Sequence, residues 1–179
     1  MYRNDQLGLV AFLAKKFGPT NKLGRKAFQK IVHLTSELVN VPTGYSFSFY
    51  TYGPYSRELT ADLEYSEVIG GISSTMDSNN GGFDIQPGPG VDVVIGFSSD
   101  YIGKYCKEIE FIFTHFGGQS AKMLELYSTI VFVQNRVVEI DNDNLKLKVK
   151  NLKPKYAETE IESAILKLNE IRGMLPIKH

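Results

Sequence analysis

An α+β fold is predicted by three features of this sequence. Long stretches carry apolar residues at helical spacing, one aromatic stretch alternates strictly, and an Asn-Gly pair sits between two short β-prone segments. The helical stretches flank the β signals. The expected architecture is therefore a mixed core with a small antiparallel β-hairpin, followed by a helical C-terminal extension. The 179 residues fit a single domain 1–179, with 1–97 as the mixed part and 98–179 as the extension.

From Asp5 to Phe17, apolar residues fall at Leu9, Val10, Phe12, Leu13 and Phe17, which predicts a helix capped by Asp5 and stopped at Gly18-Pro19. After the joint Gly18-Pro19-Thr20-Asn21, a second helix is expected over Arg25 to Val39, with Phe28, Ile31, Val32, Thr35 and Leu38 inward. Tyr45 to Thr51 alternates aromatic and polar residues and reads as the clearest strand, with Tyr45, Phe47 and Phe49 on one face. Tyr52-Gly53-Pro54-Tyr55 reads as a turn, and Ser56 as the cap of a third helix over Arg57 to Val68. Leu59, Leu63 and Val68 form the inner stripe of that helix, and Gly70-Gly71 its stop.

Ile72 to Met76 and Phe83 to Gln86 are expected to pair around Asn80-Gly81. Pro87-Gly88-Pro89-Gly90 reads as a loop, and Val91 to Ile95 as a short strand or buried segment. Ser99 or Asp100 then caps a helix to Phe116 with Tyr101, Tyr105, Ile109, Ile112, Phe113 and Phe116 inside. A helix over Ser120 to Asn135 is apolar nearly all round and so is expected at the centre. Asp141 to Asn144 reads as a loop. Lys146, Lys148, Lys150, Lys153 and Lys155 alternate with Leu145, Leu147, Val149 and Leu152 and read as an edge strand guarded by lysines. A last amphipathic helix covers Glu158 to Ile171.

The order helix, helix, strand, helix, hairpin is that of a winged helix. The stretch Gly24-Arg25-Lys26-Ala27-Phe28-Gln29-Lys30-Ile31-Val32, followed by Phe49-Tyr50-Thr51-Tyr52-Gly53-Pro54-Tyr55-Ser56-Arg57-Glu58-Leu59, resembles the YwgA-like proteins of bacteria and archaea. More widely it resembles the SocA-like or Panacea domain, which shares a basic helix and a downstream Tyr-Gly-Pro turn. Leu124 to Ile130 is similar to a buried helix of that family, and Leu152-Lys153-Pro154-Lys155-Tyr156 to its C-terminal end. The chain departs from the commoner Panacea pattern in having no Trp before the Tyr-Gly-Pro turn, and none anywhere. The resemblance implies a protein-binding antitoxin or adaptor, with a toxin protein as the partner.

Charge narrows the function. Lys plus Arg number 20 and Asp plus Glu 20, and neither half is strongly basic or acidic. That balance disfavours a dedicated non-specific nucleic-acid binder, which needs excess cations to displace counterions. One cysteine, Cys106, excludes an intrachain disulfide and fits a reducing compartment. The N-terminus does not read as a signal peptide and no apolar run is long enough for a membrane span, so a cytoplasmic placement is expected.

Two surfaces compete as binding sites. Glu58, Asp62, Glu64 and Glu67 are expected on the outer face of the third helix with Arg57 as its only cation. Carboxylates there oppose DNA phosphates and suit a basic protein. Tyr50, Tyr52 and Tyr55 add the aromatic side chains that anchor protein interfaces. The expected partner-binding set is therefore Tyr50, Tyr52, Tyr55, Arg57, Glu58 and Asp62. The alternative is a winged-helix transcriptional regulator, acting as a homodimer, that contacts DNA through Lys22, Arg25, Lys26 and Lys30. Those four belong to a cluster with Lys15 and Lys16 that holds six of the eight cations in residues 1–97.

Catalysis has no motif behind it. Cys-x-x-Cys, His-Glu-x-x-His, a Walker loop and Gly-x-Ser-x-Gly are all missing, and His33, Glu37 and Cys106 have no spacing that requires a triad. Asp141 and Asp143 lack the glycine and distal Glu of a calcium loop. No enzyme activity, metal or cofactor is expected.

Overall fold

The computed structural model describes residues 2–19, 23–77 and 82–175. Within them the chain is α+β, with eight helices and two separate two-stranded antiparallel sheets. The first half runs α1 (Arg3–Phe17), α2 (Arg25–Glu37), β1 (Ser48–Tyr50), β2 (Gly53–Tyr55), α3 (Arg57–Val68), β3 (Ile72–Asp77), β4 (Gly82–Pro87) and α4 (Val91–Gly96). The second half is α5 (Ser99–Phe116), α6 (Ala121–Gln134), α7 (Asn142–Leu152) and α8 (Glu158–Gly173). One hydrophobic cluster takes side chains from both halves, from Leu9 on α1 to Ile171 on α8.

Asp5 does not cap α1. It stands one turn inside, where its carboxylate accepts from the Tyr2 N–H at 3.0 Å. Ser56 does cap α3, its Oγ accepting from the Leu59 N–H at 3.3 Å. The inner face of α3 is Leu59, Asp62, Leu63 and Ser66. Val68, expected inward, is 82 % exposed. At about 100° per residue it lies roughly 180° around the helix from Leu59.

The aromatic alternation holds further than the strand does. Val41, Thr43, Tyr45 and Phe47 are buried and the residues between them exposed, yet only Ser48–Tyr50 forms a ladder. Its register is Ser48↔Tyr55, Phe49↔Pro54 and Tyr50↔Gly53. Pro54 has no N–H to donate, so the pairing stays short. Gly53 and Pro54 thus belong to β2, and the tight turn is at Thr51-Tyr52. The extended stretch before β1 is held by side chains instead. Tyr45 donates its hydroxyl to Asp62 at 3.0 Å, and Arg136 donates to the Phe47 carbonyl at 3.3 Å.

The β3–β4 hairpin pairs from Ile72↔Pro87 to Asp77↔Gly82, as its sequence predicts. The Asn80-Gly81 pair lies outside the described residues. The hairpin is tied back to the start of α2 by the Ile85 N–H donating to the Leu23 carbonyl at 3.0 Å.

Two strand expectations give way to helices. Val91 to Ile95 is helix α4, whose Val91 and Val94 pack on Leu7 and Ala11 of α1. The stretch expected as a loop and lysine-guarded edge strand is helix α7. Asp141 caps it, accepting from the Asn144 N–H at 2.8 Å. Leu145 and Val149 are four apart and buried, while Leu147 faces outward. No described strand lies beside α7 to pair with, so the helical period wins. Helix α6 runs through the centre as its all-round apolarity predicts, packing against α2, β2, α7 and α8. Among the described residues no helix is long and apolar enough to cross a membrane.

Candidate binding cleft at the Tyr-Gly-Pro hairpin

The two blocks Gly24–Val32 and Phe49–Leu59 meet in space. Gln29 of α2 grips the backbone of Ser56 from both sides: its Nε2 donates to the Ser56 carbonyl and its Oε1 accepts from the Ser56 N–H, each at 2.9 Å. The same Nε2 reaches Thr60 Oγ1 at 3.0 Å. One residue on, Lys30 donates to the Pro54 carbonyl at 2.5 Å. One turn earlier, the Lys26 ammonium stands 3.8 Å from the centroid of the Tyr52 ring, a cation–π contact. A helix repeats every three to four residues, so Lys26, Gln29 and Lys30 share the face turned to the hairpin.

The second pair of blocks supports the hairpin from behind. Glu125 is the one acidic residue in the apolar helix α6, whose other charge, Lys122, pairs with Glu160 of α8. It accepts from Lys153 at 2.7 Å and from Lys155 at 2.9 Å, while Lys153 also donates to the Thr51 carbonyl at 2.6 Å. Lys153 is buried, and its ammonium lies 5.3 Å from the Phe49 ring. Burial raises the Glu125 carboxyl pKa, but the hydrogen bonds and charges of Lys153 and Lys155 outweigh it and hold the group below its usual range. Gly53 closes the assembly. Its φ is +82°, and a Cβ there would meet Thr129 Oγ1 of α6 at 3.0 Å.

Two hollows flank the Thr51-Tyr52 turn. One, of about 340 Å³, lies between α2 and the hairpin, walled by Gln29, Lys30, Tyr50, Tyr52, Tyr55 and Leu63, with Arg25 and Lys26 at its edge. The other, of about 640 Å³, is an open groove between Phe49–Tyr52 and Lys153–Lys155. Tyr50 and Tyr52 are 46 % and 50 % exposed. Tyr50 and Tyr55 stack edge to face at 5.3 Å, Arg57 donates to the Tyr50 hydroxyl at 3.3 Å, and Thr60 donates to the Tyr55 hydroxyl at 2.9 Å. The tyrosines are thus exposed yet held in place.

The predicted residues divide. Tyr50, Tyr52, Tyr55 and Arg57 come together at the cleft. Glu58 is exposed at the start of α3. Its own backbone N–H, then the Ser56 hydroxyl at 2.8 Å, hold its carboxyl below the usual range. Asp62, expected outward, is buried because it receives the Tyr45 hydroxyl and pairs with Arg3 at 2.9 Å. Among the described residues the basic cluster does not form an open patch, and its exposed Lys26 lies over the Tyr52 ring. Lys30 is 3 % exposed, Arg25 pairs with Glu67 at 3.0 Å and Glu64 at 3.7 Å, Lys15 pairs with Asp92, and Lys16 with Glu110. Lys22 lies outside the described residues.

Gln29, Glu125, Lys153 and Thr129 were not anticipated. A lone Glu between Leu124 and Leu126 was the available signal, because a charge on an apolar helix needs a partner. His33 is fully buried against Phe47 and Phe132, its Nδ1 3.0 Å from Ser128 Oγ, and burial lowers its pKa to about 3. Glu37 bonds Asn135 instead of His33. Among the described residues no group of three His, Cys, Asp or Glu side chains is placed to hold a metal ion.

No family profile matches the chain. It is similar to the protein named "Uncharacterized protein YwgA" of Bacillus subtilis (strain 168), 24% identical over 165 residues that span 90% of this chain and 95% of that one.

Proposed function

We propose that the chain is a protein-binding module, antitoxin-like or adaptor-like, whose docking face is the tyrosine-walled cleft beside Tyr52. One observation carries this: Tyr50 and Tyr52 expose about half their surface around a hollow of about 340 Å³, on a hairpin braced by Gln29, Lys30 and Lys153. Exposed aromatic rings on a rigid frame bury area at little entropic cost, which is what an interface anchor requires. The SocA-like or Panacea resemblance of the same blocks supports the antitoxin or adaptor form and a toxin as partner.

The winged-helix, DNA-binding alternative loses support from the same geometry. It needs Arg25 and Lys30 free for phosphates, whereas Arg25 is engaged by two glutamates and Lys30 is buried. The acidic repulsion expected from α3 is also smaller, since Asp62 is buried and Glu64 and Glu67 face Arg25.

The test is affinity capture of the full chain from its own cells with a photo-crosslinking residue at the exposed position 51, in the chain with Tyr50 and Tyr52 intact and in Tyr50→Ala/Tyr52→Ala. The expected result is one protein crosslinked stoichiometrically and lost, by at least about tenfold, in the double variant. Undiminished capture by a double variant of unchanged melting temperature removes the proposed face. Tight, salt-dependent binding to a duplex pool that Arg25→Glu abolishes establishes the alternative.

A further inference from the structure

Lys30 is a buried ammonium without an ion-pair partner among the described residues. Its side chain is enclosed by α2, β2 and α6, and its one hydrogen-bond acceptor among the described residues is the Pro54 carbonyl. An ammonium has three donors, so two are unspent. The nearest carboxylate by influence is Glu125, but both its oxygens are taken by Lys153 and Lys155. Such a cation is expensive to bury unless something pairs with it. Lys30 also lines the hollow of about 340 Å³, and no Asp or Glu does.

We propose that this hollow is a receptor for a carboxylate joined to an apolar body, whose anion pairs with the Lys30 ammonium. The walls set the rest of the ligand. Tyr50, Tyr52, Tyr55 and Leu63 offer rings and a branched chain, suited to a phenyl-sized group. The volume falls at the lower end of small-ligand sites. A single unpaired cation matches a monoanion. A phosphate dianion would need further donors, and Arg25 and Lys26 are already committed to Glu67 and to the Tyr52 ring.

Charged groups around Lys30 give the same picture. Burial lowers its pKa to about 8, Glu125 of α6 opposes the shift, and Lys153 beyond α7 and Lys26 of α2 add to it. A bound carboxylate would restore the ordinary lysine range. The inference shares its cleft with the protein-binding role and adds the chemistry of the anchor, an acidic chain end or a free organic acid.

The experiment uses the full chain with nitrogen-15 in its lysine side chains, titrated with 3-phenylpropanoate, 3-phenylpropanamide, and Gly-Gly-Phe with a free or an amidated end. The expected result is that an acid binds at least about tenfold more tightly than its amide, with the Lys30 resonance titrating at higher pH in its presence. Binding of phenylpropanoate alone assigns the site to free acids, and binding of the tripeptide acid assigns it to chain ends. Lys30→Met should abolish the preference for acid over amide, with circular dichroism reporting its folding. Equal binding of acids and amides, no binding of either, or an unmoved Lys30 resonance overturns the proposal without help from the variant. Crosslinking at position 51 that persists alongside such a failure leaves the protein-binding role standing on its own.

Discussion

Gln29 and Ser56 exchange two hydrogen bonds across the boundary between α2 and the hairpin, each 2.9 Å long. Ser56 is also the cap of α3. A single amide therefore sets how α2, the hairpin and α3 meet. In Gln29→Leu the buried Ser56 N–H loses its partner, and the Ser56 carbonyl keeps only the longer bonds from Thr60, at 3.3 Å. The unfolding free energy should fall by about 3 kcal/mol, measured by urea denaturation. A loss below about 1 kcal/mol would mean that water or a neighbour replaces the amide.

Gly53 should resist any side chain. Gly53→Ala forces a non-glycine residue to φ +82° and drives a Cβ against Thr129 Oγ1. The expected cost is about 1–3 kcal/mol, read as a drop in melting temperature. Adding Thr129→Ala should recover only part of it, because the backbone strain stays. Full recovery would assign the whole effect to the contact.

The Glu125 pair tests burial against charge. Glu125→Gln removes the negative charge beside buried Lys153, leaving it only neutral acceptors, the amide oxygen and the Thr51 carbonyl, and should cost about 3–5 kcal/mol. Lys155→Ala removes a half-exposed partner of the same carboxylate and should cost under about 1 kcal/mol. Chemical denaturation of the two variants side by side checks the order. Equal losses would show that Lys155, not Lys153, carries the pair.

Acid should weaken the fold in two stages. His33 has its pKa lowered by burial first, and then by Arg136 and Lys30, to about 3 from 6.5. Between those values the unfolded chain binds the extra proton, so stability falls as pH drops from about 6.5 toward about 3. Glu125, held below its usual range, contributes stability that is present above the unfolded carboxyl value and is lost as pH falls through the folded one. His33→Gln should therefore flatten the slope between about pH 5 and 6.5, where Glu125 stays ionised in both states. An unchanged slope in that window would place the titrating group elsewhere.

Local periodicity made much of the fold legible. The ends of α3, the Ser56 cap, the β3–β4 pairing and the start of α8 follow from spacing and caps that act within a few residues. The misassigned segments, α4 and α7, are short. In α7, Leu145 and Val149 fit a two-residue and a four-residue repeat equally, so only their neighbours could decide. The candidate site residues were legible in type but not in exposure. Tyr50 and Tyr52 face outward as expected, whereas Asp62 and Lys30, polar on predicted helix surfaces, are buried by partners far along the chain.

The amino-acid order by itself determined the α+β composition, most helix limits and the tyrosine-rich turn, because propensity, capping and hydrophobic period are short-range properties. Tertiary structure alone decided that Lys26, Gln29 and Lys30 would meet the Tyr-Gly-Pro hairpin, and that Glu125 would meet Lys153, 28 residues on. A charge or amide is recognised as buried only once the chain has folded over it, and the energy that keeps it there comes from groups that no local pattern connects.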